Sequence, residues 1–171
     1  MSLVVNRLTI VNTINYIIQT LYILTTFLYV QLYMKNGKYC MKTNEELLEE
    51  AKEVSLNAYC DYSGFPVGAC VLYSSGNIYK GCNVENSSFG LSLCAERNAI
   101  SNAIAAGEKG KILKIAIYSP KTKKCFPCGA CRQWLQEFEK GQHIEVVLED
   151  ENSLCSVYKI DDIFPFSFNL A

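Results

Sequence analysis

The sequence predicts an α/β fold, a three-layer α/β/α domain built on a mixed five-stranded sheet. Three observations predict it. An amphipathic helical pattern opens the domain, two strand-like runs on either side of a short turn follow, and helix and strand patterns then alternate. A short turn joins antiparallel strands, whereas strands separated by helices are commonly parallel. Both kinds of pairing are therefore expected, with the later strands parallel.

The first helix is predicted over residues 44–59, whose apolar side chains fall on one face. Thr43 stands before it as the N-cap, and the acidic first turn suits the positive end of the helix dipole. After a breaker at residues 63–66, strand-like runs over residues 67–73 and 78–84 flank a turn of hairpin type. These two strands are expected to be antiparallel.

Two helices and three strands make up the rest of the predicted domain. Gly107 and Gly141 follow the helical patterns and are expected to end them, because glycine readily adopts the left-handed conformation common at helix C-termini. The helices are predicted over residues 93–106 and 128–138, and the strands over residues 112–118, 144–148 and 157–160.

The length and charge of the chain limit what it can bind. Its 171 residues, half of them apolar, are enough to bury one core. The net charge is only −1, and three of the 16 basic residues precede Met41, which leaves 13 basic against 17 acidic residues from there onward. Binding to a nucleic-acid backbone requires a basic surface, so no polynucleotide partner is expected.

Residues 8–34 carry no charge, and residues 16–30 are apolar enough to suggest a transmembrane or signal-anchor segment. Nine polar residues interrupt residues 8–34, and no small-residue cleavage site follows, which weakens that interpretation. Membrane contact by residues 8–34 is one hypothesis. The other is that the chain starts at Met34 or Met41 rather than at Met1, with mis-assigned coding sequence upstream.

The predicted division of the chain is an N-terminal apolar extension at residues 1–42 and a catalytic domain at residues 43–171. If the extension spans a membrane, three lysines on its C-terminal side (Lys35, Lys38 and Lys42) outnumber Arg7 on the other side. The positive-inside rule then keeps the catalytic domain in the cytosol. A cytoplasmic location is expected under both hypotheses.

The nine cysteines are an odd number without an evident secretory signal, so a disulfide framework fits poorly and a reducing compartment fits better. Six of them stand singly among apolar or small residues, where a free cysteine behaves as a small buried apolar side chain. No chemistry is assigned to these six, which are Cys40, Cys60, Cys70, Cys82, Cys125 and Cys155.

The remaining three cysteines indicate a metal site. Cys94 opens one predicted helix, and Cys128 and Cys131 open the next. Unpaired N–H groups and the helix dipole stabilise a thiolate at a helix N-terminus, and the thiolate is the form that binds metal. Three thiolates leave one position of a tetrahedral zinc open, as in catalytic rather than structural sites.

Glu96 and Arg97 follow the first of these cysteines directly. Zinc lowers the pKa of bound water, and a nearby carboxylate such as Glu96 is suited to take the proton and return it to a substrate. Three thiolates give the zinc site a net charge of about −1, which reduces its strength as a Lewis acid. Arg97 is predicted to offset this charge by hydrogen bonding to the ligand sulfurs.

Two other interpretations of the cysteines were weighed. Cys128 and Cys131 alone have the spacing of a thiol-redox pair, although this leaves Cys94 and Glu96 unexplained. A structural zinc site needs a fourth ligand, and the single histidine, His143, opens a strand far along the chain. His143 is therefore interpreted as an ordinary residue at the edge of a strand.

Four segments carry a family resemblance: YSGFPVGA at residues 62–69, GCNVEN at 81–86, CAERNA at 94–99 and PCGACRQ at 127–133. In this order they resemble the signature segments of the homotetrameric cytidine deaminases, with Cys94 where other zinc deaminases have histidine. The resemblance covers residue 44 to the C-terminus. It implies the cytidine deaminase fold and hydrolysis of free cytidine and deoxycytidine to uridine and deoxyuridine with release of ammonia, in pyrimidine salvage.

The resemblance also implies roles for single residues. Asn83 and Glu85 match a pair that binds the ribose through its 3′-hydroxyl, and the backbone N–H of Ala95 matches the group that holds the carbonyl oxygen of the base. Phe65 matches an aromatic residue of the nucleoside pocket, although on its own it is equally typical of a core residue beside a turn. A carboxylate at the 3′-hydroxyl repels a 3′-phosphate, which excludes a polynucleotide.

The tail IFPFSF at residues 163–168 resembles the end of the family's chains, whose last aromatic residue stacks on a base bound in a neighbouring subunit. Phe168 takes that position, which implies a homotetramer with shared active sites. Taken alone, the tail is equally typical of a hydrophobic plug or an oligomer contact. Phe164 and Phe166 are bulkier than the family pattern, and the first forty residues have no counterpart in it, so a changed subunit interface stays open.

Three other functions also stay open. A deaminase of another nucleoside-like compound or of a nucleotide would share the metal site but would not be expected to keep the Asn83-Val-Glu85 segment. A thiol-redox protein would form a reversible disulfide between Cys128 and Cys131 and hold no zinc. An inactive membrane-bound scaffold would depend on residues 1–40 alone.

Overall fold

The computed structural model describes residues 16–25, 41–139 and 141–168. The chain divides into two units at the boundary between Cys40 and Met41. In the first unit, residues 16–25 are helical and expose their large apolar side chains. None of the helices within the described ranges is long and apolar enough to cross a membrane. The rest of the apolar segment at residues 8–34 lies outside the described residues.

Five strands and four helices form the described part of the second unit. The strands are β1 (Gly68–Tyr73), β2 (Ile78–Cys82), β3 (Ile112–Tyr118), β4 (Glu145–Glu149) and β5 (Cys155–Lys159), and the helices are α1 (Asn44–Ser55), α2 (Ala95–Ala105), α3 (Gly129–Glu137) and α4 (Ile160–Ile163). The strands form one sheet in the order β2-β1-β3-β4-β5. β1 is antiparallel to β2 and β3, while β3 and β4 are parallel, so the predicted mixed sheet is confirmed.

The direction of β5 corrects one expectation. All the later strands were expected to be parallel. Only β3 and β4 are parallel to each other, and β5 runs antiparallel to β4. Residues 150–154 alone join these two strands, with the N–H of Ser153 donating to the carbonyl of Asp150 at 3.1 Å. A parallel pair needs a crossover of about a dozen residues or more, so a connection this short requires antiparallel strands.

Helical layers cover both faces of the sheet, and the alternation of side chains along β1 separates two cores. On one face Leu72 packs in a buried cluster with Leu47 of α1. On the other face Val71 lies in a larger cluster with Ile100 of α2 and Leu135 of α3. The predicted three-layer architecture is therefore confirmed.

Helix α1 begins after its predicted N-cap. The hydroxyl of Thr43 accepts the backbone N–H of Glu46 at 3.2 Å, and the carboxylate of Glu46 accepts the backbone N–H of Thr43 at 2.7 Å. This reciprocal pair is a capping box. The helix ends at Ser55 rather than at Tyr59, because Tyr59 donates its backbone N–H to the carbonyl of Asn83 at 3.0 Å and so joins the chain that follows β2.

Gly81 of β2 allows α2 to lie directly on the sheet. A Cβ atom at Gly81 would stand 2.4 Å from the backbone nitrogen of Ala99 and 2.6 Å from the carbonyl oxygen of Ala95. Asn98 of α2 adds a hydrogen bond from its Nδ2 to the carbonyl of Cys82 at 2.8 Å. These contacts fix the N-terminal end of α2 beside the end of β2.

Candidate active site

Three cysteines from two helices meet at one point. Cys94 is the N-cap residue of α2, Cys128 is the N-cap residue of α3, and Cys131 lies in the first turn of α3. Their Sγ atoms all lie within 4.8 Å of one another, and those of Cys94 and Cys128 are 3.9 Å apart. The structure thus brings together the three residues that the sequence analysis selected as metal ligands.

Both helices direct their N-terminal ends at this cluster. Cys94 and Cys128 have extended backbone conformations, and neither side chain accepts a capping hydrogen bond from the helix. The sulfurs therefore remain free for another partner. Unpaired N–H groups and the positive end of the α2 dipole favour the thiolate form of Cys94.

Arg97 supplies a positive charge to the sulfurs. Its Nη2 donates to the Sγ of Cys94 at 3.6 Å and to the carbonyl of Ser92 at 3.0 Å. The hydrogen bond from Cys131, followed by the guanidinium of Arg97, lowers the pKa of Cys94 to about 5. The same contact with Cys94, together with burial, raises the pKa of Cys131. In this pair Cys94 is the stronger acid.

Glu96 lies in the first turn of α2, two residues after Cys94, and only 4% of its surface is exposed. Burial raises the pKa of its carboxyl group, and the nearby charge of Cys94 adds to the effect. A carboxyl group with a raised pKa holds a proton more readily than an exposed glutamate does, which suits it to accept a proton and pass it on.

A cavity of about 350 Å³ opens beside the cysteines. Cys94, Glu96 and Cys128 line it, and so do Asn83 and Glu85 from the chain that follows β2. Glu85 also borders a second hollow, lined by Tyr62, Ser63, Phe89 and Ser92, which none of the cysteines reaches. Glu85 therefore lies where the catalytic cavity meets the second hollow.

A family model described as the cytidine and deoxycytidylate deaminase zinc-binding region matches residues 41–147. The chain belongs to the cytidine and deoxycytidylate deaminase family. The match includes all three cysteines of the cluster and Glu96. The chain is accordingly a zinc-dependent hydrolytic deaminase, which confirms the class of enzyme predicted from the sequence.

Named relatives and solved structures agree with this family. The deaminase is 42% identical over 97 residues to a cytidine deaminase of Sporosarcina psychrophila, covering 57% of this chain and 71% of the relative. It is 33% identical over 129 residues to a cytidine deaminase of Mycoplasma genitalium, covering 75% of this chain and 98% of the relative. The crystal structure of cytidine deaminase from Burkholderia pseudomallei superposes with a TM-score of 0.69 at 41% identity, covering 74% of this chain and all of that one.

The donor set of the deaminase fits zinc. Three thiolates bind zinc with tetrahedral geometry and leave the fourth position open. Arg97 interacts electrostatically with all three cysteines, and its buried Nε has no hydrogen-bond partner among the described residues. A concentration of negative charge, as three zinc-bound thiolates carry, would stabilise this guanidinium. Zinc is thus the cofactor that both the family and the chemistry of the site indicate.

A second group of potential metal ligands lies elsewhere in the described structure. Atoms of Glu139, His143 and Asp161 also lie within 4.8 Å of one another. These residues do not line the cavity, and His143 Nδ1 lies 2.5 Å from Asp161 Oδ2 in an exposed hydrogen bond. His143 precedes β4 by two residues, near the strand edge predicted for it.

Asn83 and Glu85, the predicted ribose-binding pair, are also held by the chain around them. The Oδ1 of Asn83 accepts the backbone N–H of Val67 at 2.8 Å, and its Nδ2 donates to the carbonyl of Phe65 at 3.0 Å. The Oε2 of Glu85 accepts the N–H groups of Tyr62 and Ser63 at 2.9 and 3.1 Å. Hydrogen bonds with Ser63 lower the pKa of Glu85, which keeps the carboxylate charged.

The other predicted nucleoside contacts divide into two groups. Phe65 and Ala95 line the cavity, and Ala95 is the first residue of α2, whose backbone N–H has no intrahelical acceptor. Phe168 is not among the lining residues and is 67% exposed. Gln133 of α3 holds its main chain through two hydrogen bonds. Phe168 is thus exposed and does not line the cavity of its own chain.

Sequence reasoning missed six lining residues, which are Ser63, Val67, Ser92, Leu93, Cys125 and Phe126. The last two precede the ligand segment directly. From its sequence context Cys125 is typical of a buried core residue, and Phe126 has no motif that would indicate a role. Their proximity to Pro127 and Cys128 was a signal that could have found them, because residues next to a metal ligand in sequence are commonly near it in space.

Proposed function

We propose that the deaminase hydrolyses free cytidine and deoxycytidine to uridine and deoxyuridine, with release of ammonia, as a step of pyrimidine salvage. One observation carries the proposal: the buried Glu96 and the cysteine cluster share a single cavity with Asn83 and Glu85. The cavity thus combines a hydrolytic site with polar groups suited to a sugar. The names of the relatives from Sporosarcina psychrophila and Mycoplasma genitalium support the same substrate.

We propose that Cys94, Cys128 and Cys131 are the zinc ligands and that Glu96 carries the protons. Zinc bound at this site supplies an activated water as the nucleophile for C4 of the pyrimidine. Glu96 accepts the proton that the water loses and delivers it to N3 as the C4–O bond forms. Glu96 then moves the remaining hydroxyl proton to the amino group, the C4–N bond breaks, and ammonia leaves. One water is consumed for each ammonia released.

The burial of Glu96 supports this role. Its carboxyl group is shielded from bulk water, so protons pass between it and the substrate rather than to solvent. Helix α2 holds it at a fixed position, because its own first turn carries both Glu96 and the neighbouring Cys94. A short path for the proton requires such fixed geometry.

The sugar is proposed to bind at the part of the cavity where Glu85 accepts the 3′-hydroxyl and Asn83 shapes the wall. The backbone bonds of Glu85 hold its carboxylate in orientation, and its lowered pKa keeps the charge at neutral pH. A fixed negative charge at the 3′-position repels a 3′-phosphate. Free nucleosides are therefore the proposed substrates, and a nucleic acid is not.

We propose that four copies assemble and that Phe168 completes a neighbouring active site. The exposure of its ring and its absence from the lining of its own cavity support this arrangement. Mixing inactive Glu96→Gln subunits with inactive Phe168→Ala subunits tests it, because mixed assemblies contain some sites with both residues intact. Activity that returns on mixing supports shared sites. Activity that stays absent, with mixed assemblies confirmed by light scattering and mass spectrometry, contradicts them.

The two units of the chain are proposed to have separate roles, with residues 43–171 catalytic and residues 1–42 dispensable for turnover. A cytoplasmic location is proposed for the catalytic part, because zinc binding requires its three cysteines to stay reduced. Residues 8–34 are proposed to contact a membrane surface through apolar side chains such as those exposed on residues 16–25. Sedimentation with phospholipid vesicles tests this contact when the full chain is compared with a chain begun at Met41.

The central experiment uses the chain begun at Met41, with its zinc content measured by atomic absorption. Cytidine, deoxycytidine and CMP are added in turn, and the change in ultraviolet absorbance on deamination is followed. Turnover of both nucleosides and not of CMP is expected. Turnover of CMP alone would contradict the nucleoside proposal, and a zinc-free protein with a reversible Cys128–Cys131 disulfide would support the thiol-redox alternative.

A further inference from the structure

Phe126 is a large aromatic side chain in the catalytic cavity. It lines the cavity together with Glu96 and Phe65, and 39% of its surface is exposed. It lies two residues before Cys128, which lines the same cavity, so the main chain keeps it close to this cysteine. A ring at this place faces the part of a substrate that reacts.

The main chain around Phe126 holds it in a tight turn. Lys124 has a φ of 47°, a left-handed conformation that residues other than glycine rarely adopt. The N–H of Lys124 donates to the carbonyl of Glu149 in β4 at 2.7 Å, and the N–H of Phe126 donates to the carbonyl of Lys124 at 2.7 Å. Strained backbone of this kind persists where surrounding contacts impose it, commonly at functional sites. Here the turn restrains the main chain on which the side chain of Phe126 is carried.

Tyr158 of β5 supports the ring of Phe126 from behind. The two ring centroids are 4.8 Å apart with an angle of 63° between the planes, an edge-to-face contact. Tyr158 itself packs against the larger buried cluster of the domain. Phe126 therefore forms a fixed wall of the cavity, because moving its ring away would break the contact with Tyr158.

We propose that Phe126 packs against the C5 edge of the pyrimidine base and excludes bases that carry a substituent at C5. The inference rests on the proposed deamination of cytidine, in which C4 lies at the cysteines and N3 lies at Glu96. The other ring neighbour of C4 is C5, on the edge opposite N3. Phe126 is the largest lining side chain among those next to the cysteines in sequence. It is thus suited to determine specificity at C5.

The test compares kcat/KM for 5-methylcytidine with kcat/KM for cytidine. Phe126→Ser opens space at the wall and is expected to raise this ratio by about tenfold or more, since one methyl group in an apolar pocket changes selectivity by roughly 10–200-fold. Phe126→Leu is expected to raise the ratio less. Tyr158→Leu removes the support behind the ring and is expected to shift the ratio in the same direction.

Phe89→Ser is the matched control, because Phe89 is exposed and lies outside the catalytic cavity. Its ratio is expected to equal that of the native enzyme. Zinc content and thermal unfolding establish that each variant is folded, and Phe126→Leu carries the test if Phe126→Ser does not fold. Native turnover of cytidine with an unchanged ratio in the folded Phe126 variants overturns the role of Phe126 alone. A native enzyme that leaves cytidine unchanged overturns the proposed function as well.

Discussion

Gln133 forms two hydrogen bonds with the main chain of Phe168. Its Nε2 donates to the Phe168 carbonyl at 2.7 Å, and its Oε1 accepts the Phe168 N–H at 3.2 Å. Arg132 binds the same tail through a hydrogen bond from Nη1 to the carbonyl of Ile163 at 2.7 Å. Both residues follow Cys131 in α3, so one helix carries two cysteines of the cluster and also places the C-terminal tail.

Replacing Gln133 by Ala is expected to release the tail and raise KM for cytidine by about tenfold, since each hydrogen bond contributes about 0.5–1.5 kcal/mol. The zinc content should stay unchanged, because Gln133 does not contact the sulfurs. Steady-state kinetics and metal analysis measure both effects. Gln136→Ala is the control, because the Oε1 of Gln136 has no partner among the described residues. Equal effects of the two substitutions would contradict this role for Gln133.

Replacing Glu96 by Gln is expected to lower kcat by about 10²–10⁴-fold, because the amide cannot accept and return protons. The amide has nearly the same shape as the carboxyl group, so zinc content and thermal stability should stay close to native. Stopped-time assays, metal analysis and thermal unfolding measure the three quantities. Normal turnover in this variant would be incompatible with Glu96 as the proton carrier.

Replacing Arg97 by Ala is expected to weaken zinc affinity by about 10–100-fold, the usual effect of losing a group that orients a metal ligand. The reason is the loss of the hydrogen bond to Cys94 and of the positive charge beside three thiolates. Competition with a chromogenic chelator measures the affinity. Arg97→Lys keeps the charge and should show a smaller loss. Native affinity in Arg97→Ala would show that the helix ends alone balance the charge.

Glu108 makes the fold sensitive to acid. Hydrogen bonds from the amide of Asn77, then from the N–H of Gly110 and the hydroxyl of Ser75, lower its pKa from the usual 4.5 to about 2. Because the folded-state pKa lies below the unfolded-state value, its stabilising contribution is present above about pH 4.5 and is lost as the pH falls toward about 2.

Glu108→Gln is therefore expected to lower the melting temperature at neutral pH and to flatten its decrease between about pH 4.5 and 2. Thermal unfolding followed by circular dichroism across this range measures the slope. Glu137→Gln, an exposed position of α3, serves as the control. A slope equal to native in Glu108→Gln would assign the acid sensitivity to other carboxyl groups.

Gly81→Ala is expected to destabilise the domain by about 1–3 kcal/mol, the usual cost of overpacking. The added Cβ would stand 2.4 Å from the backbone nitrogen of Ala99, and backbone atoms at the start of α2 have no room to move away. Denaturant unfolding measures the loss. Gly90→Ala is the matched control, since a Cβ there meets nothing within 4 Å and its φ is not left-handed. Equal stability of the two variants would contradict close packing of β2 on α2.

Local chemistry made several elements predictable from sequence. Some features depend only on residues a few positions away in the chain. Examples are the capping box at Thr43 and the positive φ angles of Gly107 and Gly141 at helix ends. The bounds of β3 are those predicted, because a mostly apolar run of seven residues that only Lys114 interrupts leaves little choice of strand. The cysteine residues could be selected for the same reason, since their spacing at two helix starts is a local property.

Contacts distant in sequence decided what the patterns could not. The end of α1 moved from Tyr59 to Ser55 because the backbone of Tyr59 bonds to Asn83. The amide of Asn83, which the family resemblance assigns to ribose binding, also bonds to the backbone of Phe65 and Val67. The sequence pattern of a single helix or strand cannot predict such hydrogen bonds, because the two partners come from separate segments of the chain.

By itself, the sequence determined the family, the mixed α/β fold, the donor types of the metal site and the proton-carrying carboxylate proposed beside them. Tertiary structure alone decided that Phe126 lines the cavity, that Phe168 does not line it in its own chain and that β5 runs antiparallel to β4. The physical reason is the distance along the chain over which each interaction acts. Capping, turn formation and ligand spacing depend on residues that are close together in the sequence. The walls of a cavity, in contrast, depend on how separate strands and helices pack against one another.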